Sequence, residues 1–335
     1  MRSILLTLVF LVALAACAPA PEVYDQNAPT PYNVVLVTLD GVRLHELFDG
    51  EDGRLTRNPT PIFDALHQQL LPRGRLYGDP RDRSEVKTGS TMNGTLPSFT
   101  ALYAESPQGC FDNLCERVKV TTFLDRLHDE LGLSRDDLAV YGAWPRLDRA
   151  VTGRDDVATV VTRNAYEGTI SEHPEAALVD ASMEWDPATV VDAFAALARH
   201  PRYLHIALVD SDRFGHRGDY ARHTTVLRAY DRLLAELSAR LSAAGEWEQN
   251  TALIVATDHG RGFGEGWKDH GPLVTESSGV WVFVMLPPAA KSLALVPVDA
   301  RTFDHHDVRF TIETLFGLST AARVGHSTGF VELTR

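Results

Sequence analysis

Aspartate and histidine side chains recur in this sequence where apolar runs end. The residues concerned are Asp40, Asp212, His216, Asp258, His259 and His270. In an open parallel sheet, ligands bind outside the carboxyl ends of the strands, so we expect these groups to share one edge. Carboxylate and imidazole donors together suit zinc, with manganese as the second choice. The pattern therefore predicts a metal site at this edge of the sheet.

Short apolar runs separated by helical patterns would position these side chains. Runs rich in valine and isoleucine are typical of buried parallel strands, and they cover 33–39, 138–141, 203–209, 251–257 and 279–286. Apolar residues at helical spacing predict helices over 122–131, 221–244 and 307–316. Strands that alternate with helices favour an α/β sandwich with a mostly parallel sheet. Residues 144–185 are less regular and are a candidate insertion or small cap.

Each of these residues taken alone has an ordinary structural explanation. An aspartate after a strand is usually a turn former or a helix cap, which applies to Asp40. Asp210 follows the same apolar run as Asp212 and is an alternative ligand. The joint occurrence of aspartate and histidine after three separate runs favours a functional site.

The order of these motifs resembles that of the alkaline phosphatase superfamily, nearest its nucleotide pyrophosphatase/phosphodiesterase-like (type I phosphodiesterase) branch. The resemblance covers about residues 32–317 and implies a three-layer α/β/α sandwich. In the family, the nucleophile starts a helix in a Thr-Phe-Pro-like context. The matching motifs are Asp40-Gly41, TLPS at 95–98 followed by LYAES at 102–106, the element from Asp212 to His216, DHG at 258–260, and His270.

The resemblance implies a role for each matching residue. One metal would be held by Asp40, Thr95, Asp258 and His259, and the other by Asp212, His216 and His270. Thr95 would attack phosphorus as a metal-activated nucleophile, and the implied activity is hydrolysis of a small phosphoric ester, either a monoester or a diester. Pro97 suits the first turn of a helix whose N-terminus faces the anion.

The sequence departs from the family at the residue that contacts phosphate. Relatives usually carry an asparagine shortly after the nucleophile, where this chain has Ser98 and Phe99. Asn93 and Asn113 are the candidates to replace it. The Cys-x-Pro-x-Arg signature of sulfatases is absent from the sequence, which disfavours sulfate esters.

Other residues near these motifs are candidates for the nucleophile and for contacts with the phosphate. Ser90, Thr91 and Ser98 are alternative nucleophiles, although only Thr95 has the matching Leu-Pro context. Arg43, Lys87 and Lys268 are candidate phosphate contacts, although single basic residues are usually solvated at the surface.

The N-terminus is typical of a bacterial lipoprotein. Residues 1–16 combine an early arginine with a short apolar run, which predicts a signal peptide. The run ends in Leu-Ala-Ala before Cys17, which resembles a lipobox with Cys17 as the acylated residue, and a plain secretory signal is the alternative. Residues 17–31 predict a flexible tether and residues 32–335 the catalytic domain. We therefore expect an extracytoplasmic, periplasm-facing protein with a lipid anchor in a bacterial membrane.

The two remaining cysteines, Cys110 and Cys115, lie close together in the sequence CFDNLC. In an oxidising compartment this spacing favours a local disulfide. A metal-binding pair is the alternative, but no second pair of matching spacing follows.

Composition restricts the classes of function. Acidic residues outnumber basic ones by 45 to 32 in 335 residues, giving a net charge of −13. Such a field repels a phosphate backbone, so we expect no binding to nucleic-acid polymers. The alternatives to a hydrolase are a phosphoryl or phosphoethanolamine transferase with a similar site, and a non-catalytic metal-binding surface lipoprotein.

Overall fold

The structure is a computed structural model that describes residues 32–104, 109–318 and 329–334. The predicted signal peptide 1–16, Cys17 and the predicted tether 17–31 lie outside these ranges, as does the end of the LYAES motif. Within the described ranges, none of the helices combines the length and the apolar character needed to span a bilayer.

A seven-stranded sheet forms the centre of the described structure, with the strand order β2-β9-β7-β1-β6-β4-β5. Strands β1, β4, β5, β6 and β7 run parallel, and β1 lies between β6 and β7. The bounds are β1 Asn33–Leu39, β2 Arg75–Tyr77, β3 Glu85–Lys87, β4 Leu138–Gly142, β5 Thr159–Thr162, β6 Tyr203–Leu208, β7 Thr251–Thr257, β8 Gly279–Val280, β9 Val282–Met285, β10 Leu293–Leu295, β11 Thr302–Asp304 and β12 Val331–Leu333. The central strands are buried along their whole length because helices cover both faces of the sheet.

Helices cover the two faces as two separate cores. Val35 and Val37 of β1 pack with residues of α5 and α7, whereas Val34 and Leu36 face residues of α2, α3 and α9. The helices are α1 Leu44–Phe48, α2 Thr95–Tyr103, α3 Phe123–Leu131, α4 Asp148–Val151, α5 Asp186–Leu197, α6 Asp210–Arg217, α7 Tyr220–Arg240, α8 Glu246–Gln249 and α9 His305–Leu315. The predicted three-layer α/β/α sandwich with a mostly parallel sheet is thus confirmed.

One strand prediction is wrong in its direction. The run 279–286 divides into β8 and β9, and β9 pairs antiparallel with β7. The chain between β7 and β8 contains short 3₁₀ turns at 264–268 and 275–278 and no crossover helix. Because a parallel return needs a crossover that packs over a sheet face, a chain that stays at the carboxyl edge re-enters the sheet antiparallel.

Two smaller sheets and the irregular segment lie around this centre. Strand β3 lies between β11 and β8 in a three-stranded sheet, and β10 pairs with β12. In the segment 144–185, the candidate insertion, β5 extends the central sheet beside β4 and α4 packs near α2.

Candidate active site

The aligned ends of three neighbouring strands place the first group of site residues. Leu39 at the end of β1 pairs with Leu208 of β6 and with Thr257 of β7. Asp40 follows β1 directly, and Asp258 and His259 follow β7, so their side chains emerge at one edge of the sheet. Asp40, Asp258 and His259 are all at most 4% exposed.

Helix α6 begins just after β6 and presents Asp212 and His216 one turn apart. Asp212 Oδ2 lies 3.2 Å from His216 Nε2. Asp210, the alternative ligand, is engaged elsewhere, because its carboxylate accepts hydrogen bonds from the backbone nitrogens of residues 184–186. It therefore anchors the start of α5 and takes no part in the metal-ligand cluster.

His259 is the centre of one cluster of potential ligands. Its Nε2 lies 3.2 Å from Asp40 Oδ1, 3.6 Å from Asp258 Oδ2 and 3.4 Å from Thr95 Oγ1. Its Nδ1 lies 2.9 Å from Gly260 O, so the Nδ1–H donates to this carbonyl and Nε2 faces the carboxylates. Asp258 Oδ2 is buried and has no hydrogen-bond partner among the described residues.

His270 and His216 complete a second cluster next to the first. His270 Nδ1 donates to Asn93 O over 2.9 Å, which directs Nε2 towards His216 Nε2 at 3.1 Å and Asp212 Oδ1 at 3.9 Å. The rings of His259 and His270 stack with their centroids 3.8 Å apart. The structure thus brings together all seven residues expected to bind metal, in two adjoining groups.

The pKa values of the side chains in both clusters are shifted in the directions expected where a cation would bind. Burial, together with the Asp258 and Asp212 carboxylates, raises the pKa of Asp40 well above its ordinary value. Burial alone would lower the pKa of His259, but Asp258 and Asp40 outweigh it and raise the pKa to about 10. Burial and the adjacent His259 lower the pKa of His270 to about 3. A divalent cation would relieve the repulsion among these carboxylates, so the donor set fits the implied metals.

Arg261 belongs to this site but was not identified from the sequence. Its side chain is 1% exposed, and its guanidinium contacts Asp212 and the backbone carbonyls of Trp267 and Lys268. Although burial alone would raise it, Arg261 holds the pKa of the Asp212 carboxyl well below its usual range. Its position two residues after His259 was the available signal.

Close packing around Arg261 and Asp212 explains why two nearby positions are occupied by glycine. Gly41 has a φ of +65°, and a Cβ there would come within 2.7 Å of Asp212 Oδ1. A Cβ on Gly215 in α6 would come within 2.6 Å of the central guanidinium carbon of Arg261. Glycine at both positions lets β1, α6 and the segment after β7 approach closely enough to bring the ligands together.

Thr95 is the first residue of α2, and the helix start is arranged differently from the expected anion site. The Leu96 N–H donates to Asn113 Oδ1 over 2.9 Å, Pro97 has no N–H, and Ser98 N–H donates to Gly94 O. Within the described structure, the Thr95 N–H is the first-turn donor left for a ligand. Ser98 is fully buried and its Oγ is unpartnered among the described residues, so water and ester have no route to this alternative nucleophile.

The loop that carries Asn113 is closed by a disulfide between Cys110 and Cys115, as predicted. Arg146 donates to Asn113 O over 2.5 Å and Arg149 to Cys115 O over 2.9 Å. The disulfide and these two arginines hold the Asn113 amide against the start of α2.

The three basic candidates and the other alternative nucleophiles do not belong to the two clusters of candidate ligands. Arg43 is buried in ion pairs with Glu46 and Asp52. Lys87 pairs with Glu85 over 3.0 Å, and Lys268 is exposed. Ser90 and Thr91 line a neighbouring cavity.

Comparison with known proteins agrees with the resemblance inferred from the motifs. Residues 116–270 match the model of the type I phosphodiesterase / nucleotide pyrophosphatase family, which confirms the resemblance over this range. The range includes Asp212, His216, Asp258, His259 and His270, whereas Asp40 and Thr95 precede it. None of the curated proteins matches the chain in sequence.

Solved structures with the same fold include hydrolases and phosphoethanolamine transferase domains. A phosphonate monoester hydrolase of Agrobacterium radiobacter has a TM-score of 0.56 at 14% identity, covering 86% of this chain and 74% of that chain. The C-terminal periplasmic domain of the phosphoethanolamine transferase EptC from Campylobacter jejuni has a TM-score of 0.52 at 13% identity, covering 86% and 90%. The corresponding domain of EcEptC from Escherichia coli, solved in complex with zinc, has a TM-score of 0.50 at 13% identity, covering 88% and 84%. A 2-O GAG sulfatase is also similar, with a TM-score of 0.57 at 14% identity, covering 87% and 72%. These likenesses establish that the chain shares the fold of these enzymes.

Proposed function

We propose that this chain, with its type I phosphodiesterase match over residues 116–270, is a metal-dependent hydrolase of phosphoric esters with Thr95 as its nucleophile. The orientation of the two buried imidazoles carries the proposal. His259 and His270 each donate Nδ1–H to a backbone carbonyl, so both Nε2 atoms face carboxylates. This is the arrangement by which proteins prepare histidine as a metal ligand.

Two groups of residues would hold the ions. Asp40, Asp258, His259 and Thr95 surround one position, and Asp212, His216 and His270 surround the other. The imidazoles favour zinc, with manganese second. When bound, the pair of ions supplies Lewis acidity, which makes the Thr95 hydroxyl easier to deprotonate and offsets charge on the phosphoryl oxygens.

The chain's own residues supply the nucleophile and its position. Thr95 Oγ1 attacks phosphorus, the P–O bond to the alcohol breaks, and the alcohol leaves with a proton. A water molecule then attacks phospho-Thr95, releases the phosphoryl group and returns the hydroxyl to Thr95. The buried start of α2 fixes Thr95, and its free N–H donates to a phosphoryl oxygen. Arg261 keeps Asp212 ionised and correctly placed.

The test is a substrate panel on metal-loaded protein, with a matched pair of variants. Aryl phosphate monoester, aryl phosphodiester and aryl sulfate separate the three chemistries. Thr95→Ala should retain metal and fold but lose activity by several orders of magnitude, because covalent catalysis is lost. Ser98→Ala removes a hydroxyl from the same helix and should retain activity. Near-normal turnover by Thr95→Ala on every substrate would refute the assignment.

A transferase is the second candidate, because the same fold occurs in a phosphoethanolamine transferase domain. A hydrolase releases one product phosphate per alcohol released, whatever other alcohols are present. A transferase would release alcohol faster when a second alcohol is added and would form a new ester. Quantifying both products distinguishes the two.

We also propose that the protein works outside the cytoplasm, anchored through lipid on Cys17. The lipobox-like sequence before Cys17 and the disulfide between Cys110 and Cys115 support this location. Mass spectrometry of the mature N-terminus should show an acylated Cys17. Cys17→Ser should release the protein from the membrane fraction, and membrane retention of this variant would refute the anchor.

A further inference from the structure

A cavity of about 350 Å³ lies next to the two clusters of candidate ligands. One wall is the segment 87–93, which leads to Thr95, and the opposite wall is the segment 272–278, which follows His270. Asn93 belongs to both sites, because its side chain lines the cavity while its carbonyl accepts from His270 Nδ1 over 2.9 Å. Asn93 therefore connects the cavity directly to His270, a proposed metal ligand.

The three-stranded sheet builds the floor of this cavity. Strand β3 ends at Lys87, which pairs with Asp304 at the end of β11 and with Gly279 at the start of β8. The Thr88 N–H donates to Ser278 O over 2.9 Å, which joins the two walls. The cavity is thus built on paired strands close to the nucleophile helix.

Six of the ten lining residues carry a hydroxyl or an amide: Thr88, Ser90, Thr91, Asn93, Thr275 and Ser278. Thr88 Oγ1 lies 2.7 Å from Asn93 Oδ1, and no described residue accepts from the Asn93 amide nitrogen. None of the lining side chains is aromatic, so the cavity offers no surface on which a nucleobase stacks.

The floor of the cavity contains one basic and one acidic residue. Lys87, whose ammonium group pairs with Glu85 over 3.0 Å, and Asp304, whose carboxylate accepts from the His306 N–H, both line the cavity. Although burial acts in the opposite direction, hydrogen bonds from His306 lower the pKa of Asp304, which therefore stays ionised at neutral pH. The lining residues offer both hydrogen-bond donors and hydrogen-bond acceptors, which match a ligand with several hydroxyls better than a simple anion.

We propose that this cavity is an ester subsite that binds a polyhydroxylated alcohol, such as a glyceryl or sugar group, of a phosphodiester. The assignment rests on the proposed function, since the phosphorus of that diester must reach Thr95. It makes the substrate a diester of a small polyol, and it disfavours nucleotide diesters.

Three 4-nitrophenyl phosphodiesters test the subsite, with methyl, glyceryl or thymidyl as the second ester group. The glyceryl probe should have a kcat/KM at least about tenfold above the methyl probe, the worth of one or two net hydrogen bonds. The thymidyl probe should show no such gain. Thr275→Phe places an aromatic ring at the exposed rim of the cavity, and it should abolish the glyceryl preference while the methyl probe is cleaved as before. Thr225→Phe, on the exposed face of α7, is the control and should leave the preference intact.

The outcomes separate the subsite from the proposed function. Cleavage of all three probes at similar kcat/KM, or a preference for thymidyl, would overturn the subsite and leave the hydrolase standing. A glyceryl preference that survives in Thr275→Phe would also overturn it. Cleavage of none of the probes by folded, metal-loaded protein would reject the diesterase activity and the subsite together.

Discussion

The disulfide loop should control activity through one hydrogen bond to the nucleophile helix. Asn113 Oδ1 accepts from Leu96 N–H, next to Thr95, and Asn113 lies between the bonded Cys110 and Cys115. Without the acceptor, the first turn of α2 loses a cap and Thr95 is held less firmly. We therefore expect Asn113→Ala and the pair Cys110→Ser with Cys115→Ser to lower kcat by the same route.

The structure sets the size of the effect. Loss of a helix-capping acceptor costs about 1 kcal/mol. If the whole loss is felt in the transition state, kcat falls about fivefold. A disulfide that closes so short a loop restricts the unfolded chain by about 2 kcal/mol. Because Arg146 and Arg149 also hold the loop, the double-serine variant should fold with a lower melting temperature.

A double-mutant cycle is the assay, with kcat for an aryl phosphoric ester as the readout. Asn113→Ala and the double-serine variant should each lower kcat, and combining them should lower it no further, because both remove the same contact. Asn113→Asp keeps the acceptor oxygen and adds a negative charge. It should keep kcat near wild type while raising KM for an anionic ester, a split that a general loss of structure would not produce.

Reduction provides an independent arm. A phosphine reductant should lower the kcat of the wild type to that of the double-serine variant, and that variant should not respond to the reductant. Additive losses of kcat in the cycle would refute the link between the loop and the helix. So would full activity of the double-serine variant alongside a lowered kcat of Asn113→Ala.

Three further predictions follow from the site and its supports. His270→Ala should lower the metal content by about one ion per chain and lower activity, with partial recovery on added zinc measured by elemental analysis and turnover. Arg261→Met leaves the buried Asp212 carboxylate without its partner, so thermal unfolding of metal-free protein should show a loss of about 3–5 kcal/mol, and an unchanged melting temperature would contradict this. Burial and the nearby Asp210 carboxylate raise the pKa of Asp186 to about 7, so the folded state binds a proton that the unfolded state releases between about pH 4 and pH 7. The stability of the wild type should therefore fall relative to Asp186→Asn as the pH rises through this window, as measured by urea unfolding at pH 5 and pH 8.

Local pattern was enough to predict the architecture and the aspartates and histidines that meet at the candidate site. Runs such as 251–257 are apolar throughout, because a parallel strand covered on both faces has no polar side. Asp40 and Asp258 follow such runs directly, and parallel strands in register bring their ends to one edge. The four-residue spacing of Asp212 and His216 likewise places both on one face of a helix. The strand pattern and the helical spacing depend on neighbours in the chain, so the sequence alone determined them, whereas the pairing of β1 with β7 joins distant segments.

The remaining features depend on contacts between residues distant in the sequence. Arg261 contacts Asp212 because β7 and β6 lie on either side of β1, an order that no local periodicity encodes. Asn113 reaches Leu96 because a disulfide loop folds back onto α2. Strand β9 runs antiparallel because the ligand-bearing segment before it stays at one edge of the sheet. The sequence by itself thus determined which side chains could do the chemistry, whereas the tertiary structure decided which residues support them. Hydrophobic patterning specifies the face that an element buries, but the partner it meets is set only when the whole chain packs.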